Sequence, residues 1–398
     1  MEQTYFRKGF GLKGQIAGSL SQDYHSALVA SIRNGGYALT VHGLTIRLAK
    51  EFGFCYGVDR AVEYAYETRT KFPSKRIFLI GEIIHNPHVN KRLEAMGITI
   101  LQPQANGQFD YSPVVREDVV IIPAFGVPLV DFEYLHELGC PLVDTTCGSV
   151  LNVWKRVERY ARDGFTALVH GKDFHEETKA TTSQVAKYPD GKYIVVRDME
   201  ETEMVCNFIE GCGDVAELER CFHGKVSDGF CFSRDLVKVG IANQTTMLAS
   251  ESLAIAERVG QALAKKYGAA MLDDHFRSFD TICSATQERQ DAVLELIEEP
   301  IDVMIVIGGY NSSNTNHLAK ICSAKRRTYH IADASCIDPE SGAIRYKPVR
   351  QVDEILQENW LDESVRMVGI SAGASTPNNK VGEAIERVLR TKGLVVPS

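Results

Sequence analysis

The feature that most constrains this chain is a unit that occurs three times: a cysteine, a helical stretch, an apolar strand and a polar loop. The first copy reads Gly53-Phe54-Cys55-Tyr56-Gly57-Val58, a helix near 58–72, a strand at 76–80 and the loop Gly81-Glu82-Ile83-Ile84-His85-Asn86-Pro87-His88. The second reads Asp144-Thr145-Thr146-Cys147-Gly148-Ser149, a helix near 149–163, a strand at 165–169 and a loop from His170 through His175-Glu176-Glu177-Thr178. The third reads Thr281-Ile282-Cys283-Ser284-Ala285-Thr286, a helix near 286–298, a strand at 303–307 and the loop Gly308-Gly309-Tyr310-Asn311-Ser312-Ser313-Asn314. From each cysteine to His85, His175 and Ser312 the separations are 30, 28 and 29 residues. A second strand and loop follow in each copy, over 119–126, 237–246 and 367–375. A helix then leads to a final short strand, expected at 141–143, 270–272 and 394–396. In the first two copies that strand delivers the next cysteine.

Short apolar strands alternating with helices imply α/β architecture, with parallel sheets covered by helices. In such sheets ligands bind beyond the carboxyl ends of the strands, where these loops and cysteines fall. The expected fold is three similar α/β domains with mainly parallel sheets around a pseudo-threefold axis, which lets the three cysteines converge. The divisions are a 1–46 extension and units at 47–146, 147–282 and 283–398, the second carrying an insertion near 205–232. A chain of 398 residues exceeds what one core usually accommodates, in keeping with several units.

The formal charge of −8 weighs against a nucleic-acid partner, which favours a basic face. It leaves room for an anionic small molecule held by amides, hydroxyls and imidazoles. No apolar run approaches the ~20 residues that span a bilayer, and no membrane association is expected. The first residues lack the apolar core of a secretory signal, so the expected location is the cytoplasm, or the stroma of a plastid.

Ten cysteines are many for a reducing compartment, and none forms a CxxC pair. Cys55, Cys147 and Cys283 each stand where a helix begins, and the amides and dipole there favour a thiolate, the metal-binding form. Three such thiolates can anchor a 4Fe–4S cluster by three corners, leaving one iron without cysteine, open as a Lewis acid beside a store of electrons. Cys140, Cys322 and Cys336 lack that context and read as structural. Cys206, Cys212, Cys221 and Cys231 fall around the insertion without paired spacing, which weighs against a second metal site.

Taken together, GFCYGV at 53–58, HNPH at 85–88, DTTCG at 144–148, HEET at 175–178, NQTT at 243–246, NSSN at 311–314 and AGAS at 372–375 resemble the 4-hydroxy-3-methylbut-2-enyl diphosphate reductase (LytB) family, from about residue 47 onward. The first 46 residues resemble the extension of its plant and cyanobacterial branch. The resemblance implies three domains around a central 4Fe–4S cluster and the last step of the methylerythritol phosphate route to isoprenoids. In that step an allylic hydroxyl is removed with two electrons and two protons. It implies Cys55, Cys147 and Cys283 as cluster ligands, Glu177 as proton source and Thr245 as its neighbour. His85, His175, Thr245, Ser312, Ser313, Asn314 and Ser375 would hold the substrate diphosphate, and ferredoxin or flavodoxin would donate electrons. Ordinary N-capping is the other reading of Ser312–Asn314 and of Ser375.

Two departures stand out. Many bacterial members have Ala-His-Gly-Val where this chain has Ala124-Phe125-Gly126-Val127, so one imidazole donor is missing. HEET stands where they show His-Pro-Glu, which assigns the acid to Glu177 rather than Glu176. The extension is expected either to wrap the body or to mediate self-association as a homodimer. Two rival classes are an open-iron hydro-lyase, which would call for Arg at its carboxylate-binding loops, and a structural zinc protein.

Overall fold

The computed structural model describes residues 4–279 and 281–396. In chain order its strands are β1 (Tyr5–Phe6), β2 (Ala38–Val41), β3 (Leu44–Leu48), β4 (Ile77–Ile80), β5 (Ile98–Leu101), β6 (Val119–Ile122), β7 (Leu142–Asp144), β8 (Thr166–His170) and β9 (Tyr193–Val196). Then follow β10 (Val239–Asn243), β11 (Phe276–Ser278), β12 (Val303–Ile307), β13 (Arg327–Ile331), β14 (Ile337–Asp338), β15 (Ala343–Tyr346), β16 (Ile355–Gln357) and β17 (Met367–Ala372). The central strands β4, β6, β8, β10 and β12 are buried along their whole length, as unbroken apolar runs covered on both faces should be.

One order recurs in three mainly parallel sheets. The first runs β5-β4-β6-β7 with β1 beyond β7, the second β9-β8-β10-β11, and the third β13-β12-β17-β3 with β2 antiparallel beyond β3. The fourth place in each sheet is therefore taken by the strand that precedes a cysteine: β7 before Cys147, β11 before Cys283 and β3 before Cys55.

Two of the expected closing strands fall elsewhere. Residues 269–271 form a tight helical turn, and the strand lies at Phe276–Ser278, where Phe276 pairs with Val239 and packs on the helix at Gly260. Residues 394–396 form no strand, and Val395 is 77% exposed. Their slot is filled from the other end of the chain by β3, whose Thr45–Leu48 pair in parallel with Met367–Ile370. The three cysteine helices start within a turn of expectation, at Tyr56, Gly148 and Ser284.

By packing the chain divides into two compact units. One comprises Met1–Arg7, Lys75–Gly81 and Ile100–Cys283 and carries the first two sheets; the other comprises Lys8–Ser74, Glu82–Thr99 and Ser284–Ser398 and carries the third. A small antiparallel sheet, β14-β15-β16, also lies in the second unit. The N-terminal segment is built into the body: β1 extends the first sheet, β2 the third, and Phe10 and Leu12 donate their N–H groups to the buried Glu67 carboxylate at 2.5 and 2.6 Å.

Burial pushes the thiols of Cys140, Cys206 and Cys322 up to about 11, 12 and 12, so they behave as small apolar side chains. Among the described residues no group of three metal-ligating side chains gathers in the insertion. No helix among them is long and apolar enough to cross a membrane.

Candidate functional site

In the first unit, Cys147 caps the helix Gly148–Arg162, and its sulfur makes no capping hydrogen bond. Its position is set by backbone: Cys147 N–H donates to Ala124 O at 2.9 Å, and Thr145 N–H donates to Ile122 O at 3.1 Å. Ser149, in the first turn of that helix, places its Oγ 3.4 Å from Cys283 Sγ, so the segments of Cys147 and Cys283 meet. Cys283 follows β11, and just before it Thr281 donates its hydroxyl to Asn243 at the end of β10. Both cysteines are half-buried free thiols.

Beyond β8 the chain turns into the helix Glu176–Thr182, capped by His175, whose Nδ1 accepts Glu177 N–H at 3.1 Å. An accepting ring nitrogen is unprotonated, so the neutral imidazole carries its proton on Nε2 and can donate from there. Glu177 is 1% exposed, and its Oε1 receives the N–H of Thr245 at 2.5 Å. Gln244 ties this corner together. Its Oε1 accepts from Lys172 N–H at 3.1 Å and from the Thr178 hydroxyl at 3.3 Å, and its Nε2 donates to Thr246 Oγ1 at 2.8 Å. Phe125 stands edge-to-face against His175, with centroids 5.6 Å apart at 82°. The next residue, Gly126, has φ +77° and lies so close to Trp154 that a Cβ there would fall 2.4 Å from the indole ring.

In the second unit, Cys55 caps the helix Tyr56–Lys71, again with no side-chain capping bond. Cys55 N–H donates to Ala374 O at 3.2 Å, and Gly53 N–H to Ala372 O at 3.3 Å. These are the same two bonds that hold Cys147 and Thr145, so the sequence repeat reappears as a repeated backbone device. His85 Nδ1 lies 2.8 Å from the Glu82 carboxylate, which makes it the protonated ring nitrogen. Ser375 donates its hydroxyl to His85 O at 3.2 Å, while Asn86 Nδ2 donates to Ser375 O at 2.8 Å.

Ser312 caps the helix Ser313–Ser323 and accepts from both Thr315 N–H and the Thr315 hydroxyl, at 3.3 and 3.0 Å. Capping uses its lone pairs and leaves the hydroxyl proton to donate. Ser313 opens that helix and is buried. Asn314, 2% exposed, accepts Ala374 N–H on Oδ1 at 2.9 Å, and its Nδ2 is buried with no partner. A buried amide donor left unmet calls for an acceptor.

Within the first unit the chain thus assembles Cys147, Cys283, His175, Glu177 and Thr245. Within the second it assembles Cys55, His85, Ser312, Ser313, Asn314 and Ser375. Sequence reasoning passed over Ser149, Gln244, Thr178 and Asn86. Gln244, Thr178 and Asn86 stand inside the NQTT, HEET and HNPH motifs, but their roles depend on which way the side chain points.

This is an α/β protein whose strand ends present cysteines, hydroxyls, amides and imidazoles, the class that holds small phosphorylated ligands on neutral donors. The LytB protein family model matches residues 46–389. The chain is 46% identical over 394 residues to the 4-hydroxy-3-methylbut-2-enyl diphosphate reductase of Gloeothece citriformis (strain PCC 7424), spanning 99% of this chain and 96% of the relative. It is 46% identical over 397 residues to the enzyme of the same name from Thermosynechococcus vestitus (strain NIES-2133 / IAM M-273 / BP-1), spanning 100% and 97%. The solved structure of an (E)-4-hydroxy-3-methyl-but-2-enyl diphosphate reductase, described as the terminal enzyme of the non-mevalonate pathway, is 30% identical with a TM-score of 0.53, covering 86% of this chain and 98% of that one. The E-1-hydroxy-2-methyl-but-2-enyl-4-diphosphate reductase of Plasmodium falciparum, 20% identical, has the same fold with a TM-score of 0.62, covering 85% and 86%. The chain belongs to the LytB family.

Proposed function

We propose that this protein is a 4-hydroxy-3-methylbut-2-enyl diphosphate reductase. It removes the allylic hydroxyl with two electrons and two protons and releases isopentenyl or dimethylallyl diphosphate and water. The observation that carries this reading is the buried Glu177 carboxyl on the Thr245 amide, next to a neutral His175, in a chain 46% identical along its length to such reductases. It supports a reading in which a proton-transferring group stands beside a phosphate donor.

The cysteines fit an iron–sulfur cluster. Cys147 and Cys55 present sulfurs with no capping bond at helix starts, and Ser149 of the Cys147 helix touches the Cys283 sulfur. Cys55, Cys147 and Cys283 would hold a 4Fe–4S cluster by three irons, leaving the fourth without cysteine. When bound, such a cluster supplies electrons and an electrophilic iron. The chain's own residues do the rest. His175 Nε2–H, the hydroxyls of Ser312 and Ser313 and the orphan Asn314 Nδ2 bind the diphosphate, joined by Ser375 once its proton turns away from His85 O and by His85 as an imidazolium whose Nδ1–H stays on Glu82. Glu177 delivers a proton to the departing oxygen, and the Thr245 amide fixes the carboxyl that does so. Because these donors are neutral or singly charged and lie at helix starts, they suit a diphosphate without a basic cleft. Ferredoxin or flavodoxin is the expected electron donor, in a reducing compartment such as cytoplasm or plastid stroma.

The test is an anaerobic assay of the purified protein with the hydroxylated diphosphate and a low-potential reductant. Glu177→Gln should keep its iron and lose turnover by roughly 10²–10⁴-fold, the usual weight of a positioned acid. Wild-type turnover in that variant would remove Glu177 from the chemistry; an inert wild-type enzyme with full iron would end the proposal.

A further inference from the structure

Arg289 is a buried charge that the reading above leaves unused. It is 3% exposed, on the helix Ser284–Glu298 that begins one residue after Cys283. Its Nε and Nη2 donate to Gly53 O at 3.1 and 2.8 Å, Nη2 also donates to Phe54 O at 3.1 Å, and Nη1 donates to Ala285 O at 2.9 Å. Every one of these hydrogen-bond partners is an uncharged carbonyl; among the described residues Arg289 stands in no close ion pair, and the acid that feels its charge through space is Asp59, in the first turn of the helix that Cys55 caps. A buried cation is costly to desolvate, and Asp59 meets this one through space and not by a hydrogen-bonded pair, so further negative charge nearby would stabilise it.

A second guanidinium grips the same strand of backbone. Arg33, from the N-terminal segment, donates from Nη2 to Phe52 O at 3.1 Å and lies 4.3 Å over the Phe52 ring. The carbonyls of Phe52, Gly53 and Phe54, the three residues before Cys55, therefore all end on arginines. Gly53 itself, at φ +78°, would press a Cβ to 2.8 Å from Asn378 Oδ1 and 3.2 Å from Thr376 O, so the position has no room for a side chain.

We propose that Arg289, assisted by Arg33, is the positioning clamp that presents the Cys55 thiolate to the iron–sulfur cluster, and that the Arg289 cation offsets the cluster's negative charge. This rests on Cys55 being a cluster ligand. The clamp gives a role to the N-terminal segment's Arg33 and to a buried guanidinium six residues after Cys283, on the helix Ser284–Glu298. Arg is required for the hold because one planar fork reaches two carbonyls at once, which a Lys ammonium does not reproduce.

Two variants separate charge from hold, read on the cluster-loaded protein by redox titration and by the rate of iron loss to a chelator. Arg289→Gln should make one-electron reduction about tenfold less favourable, ~59 mV more negative, and speed iron loss. Arg289→Lys should leave the potential near the wild-type value yet still speed iron loss by about fivefold, because charge is kept and the fork is not. Wild-type potential in Arg289→Gln overturns the charge role, and wild-type iron loss in Arg289→Lys overturns the clamp. Should the Gln variant not fold, a shifted potential in the Lys variant refutes the charge role by itself. Cys55→Ser distinguishes the two readings. Undiminished iron there ends the ligand assignment, whereas lost iron with unaffected arginine variants ends only the clamp.

Discussion

The turn after β6 and the turn after β17 occupy the same place in their sheets and do the same thing with their backbones. Ala124 O accepts the N–H of Cys147 as Ala374 O accepts that of Cys55. Their side chains have gone opposite ways. After β6 the turn is apolar: Phe125 packs on His175, and Gly126 is pressed against Trp154. After β17 it is polar: Ser375 bonds to His85 O, and Ala374 N–H is held by Asn314. The lesson is a division of labour. Backbone hydrogen bonds insensitive to residue type set Cys147 and Cys55, and this frees the side chains of the same turn to be polar in one sheet and to pack in another.

The largest break in that comparison is expected at Asn314. Replacing it with Leu keeps its bulk, strands the Ala374 amide and deletes the unpaired Nδ2. Hydrogen bonds to charged groups contribute about 1.5–3 kcal/mol, so kcat/KM should fall by about 100-fold, mostly through a higher KM. Iron content should persist. A KM within twofold of wild type would show that the polar turn does not grip the diphosphate.

A smaller effect concerns acid. His330, in β13, donates from Nε2 to Gly308 O at 3.0 Å, at the start of the loop that leads to Ser312, and burial pushes its imidazole down to about 4. A depressed folded-state value means that the unfolded chain takes the proton first. This contribution to stability is therefore complete above about pH 6.5 and declines as pH falls from there toward 4. By pH 5 the loss should be about 2 kcal/mol, since one unit is worth ~1.4 kcal/mol. Thermal unfolding at pH 7 and pH 5 checks it: the drop in Tm should shrink in His330→Gln, and an equal drop in both proteins would refute the assignment.

Much of this was legible from residues alone. Buried runs such as Val303–Ile307 can only be covered strands, and a cysteine before an amphipathic stretch is a helix start. The strand that closes the third sheet was not legible. Leu394–Val396 has the right apolar residues, but β3 reaches β17 from more than 300 residues away, and pairing at that separation leaves no local trace. For the site, residue types name candidate donors but not their orientation. The tautomer of His175 depends on a cap bond, and the role of Gln244 depends on two partners, Lys172 and Thr178, brought in from the loop after β8 and its helix. Phe125 read in the sequence as a missing donor. Its contact with a residue fifty positions on was invisible there.

That contact gives the smallest and sharpest test. Phe125 makes no hydrogen bond to a phosphate, yet its ring stands against the imidazole whose Nε2–H is expected to do so. An edge-to-face pair of this kind contributes about 0.5–1.5 kcal/mol beyond the area it buries. Phe125→Leu should keep the apolar fill and loosen the imidazole, lowering kcat/KM by about fivefold, whereas Phe125→Tyr should restore most of it. Iron content should be unchanged in both, because the cysteine beside this turn is held by Ala124 O and not by the aromatic ring. Loss of iron in Phe125→Leu would mean that side chain and backbone are coupled in this turn after all, and the division of labour between the two turns would fail at its apolar end.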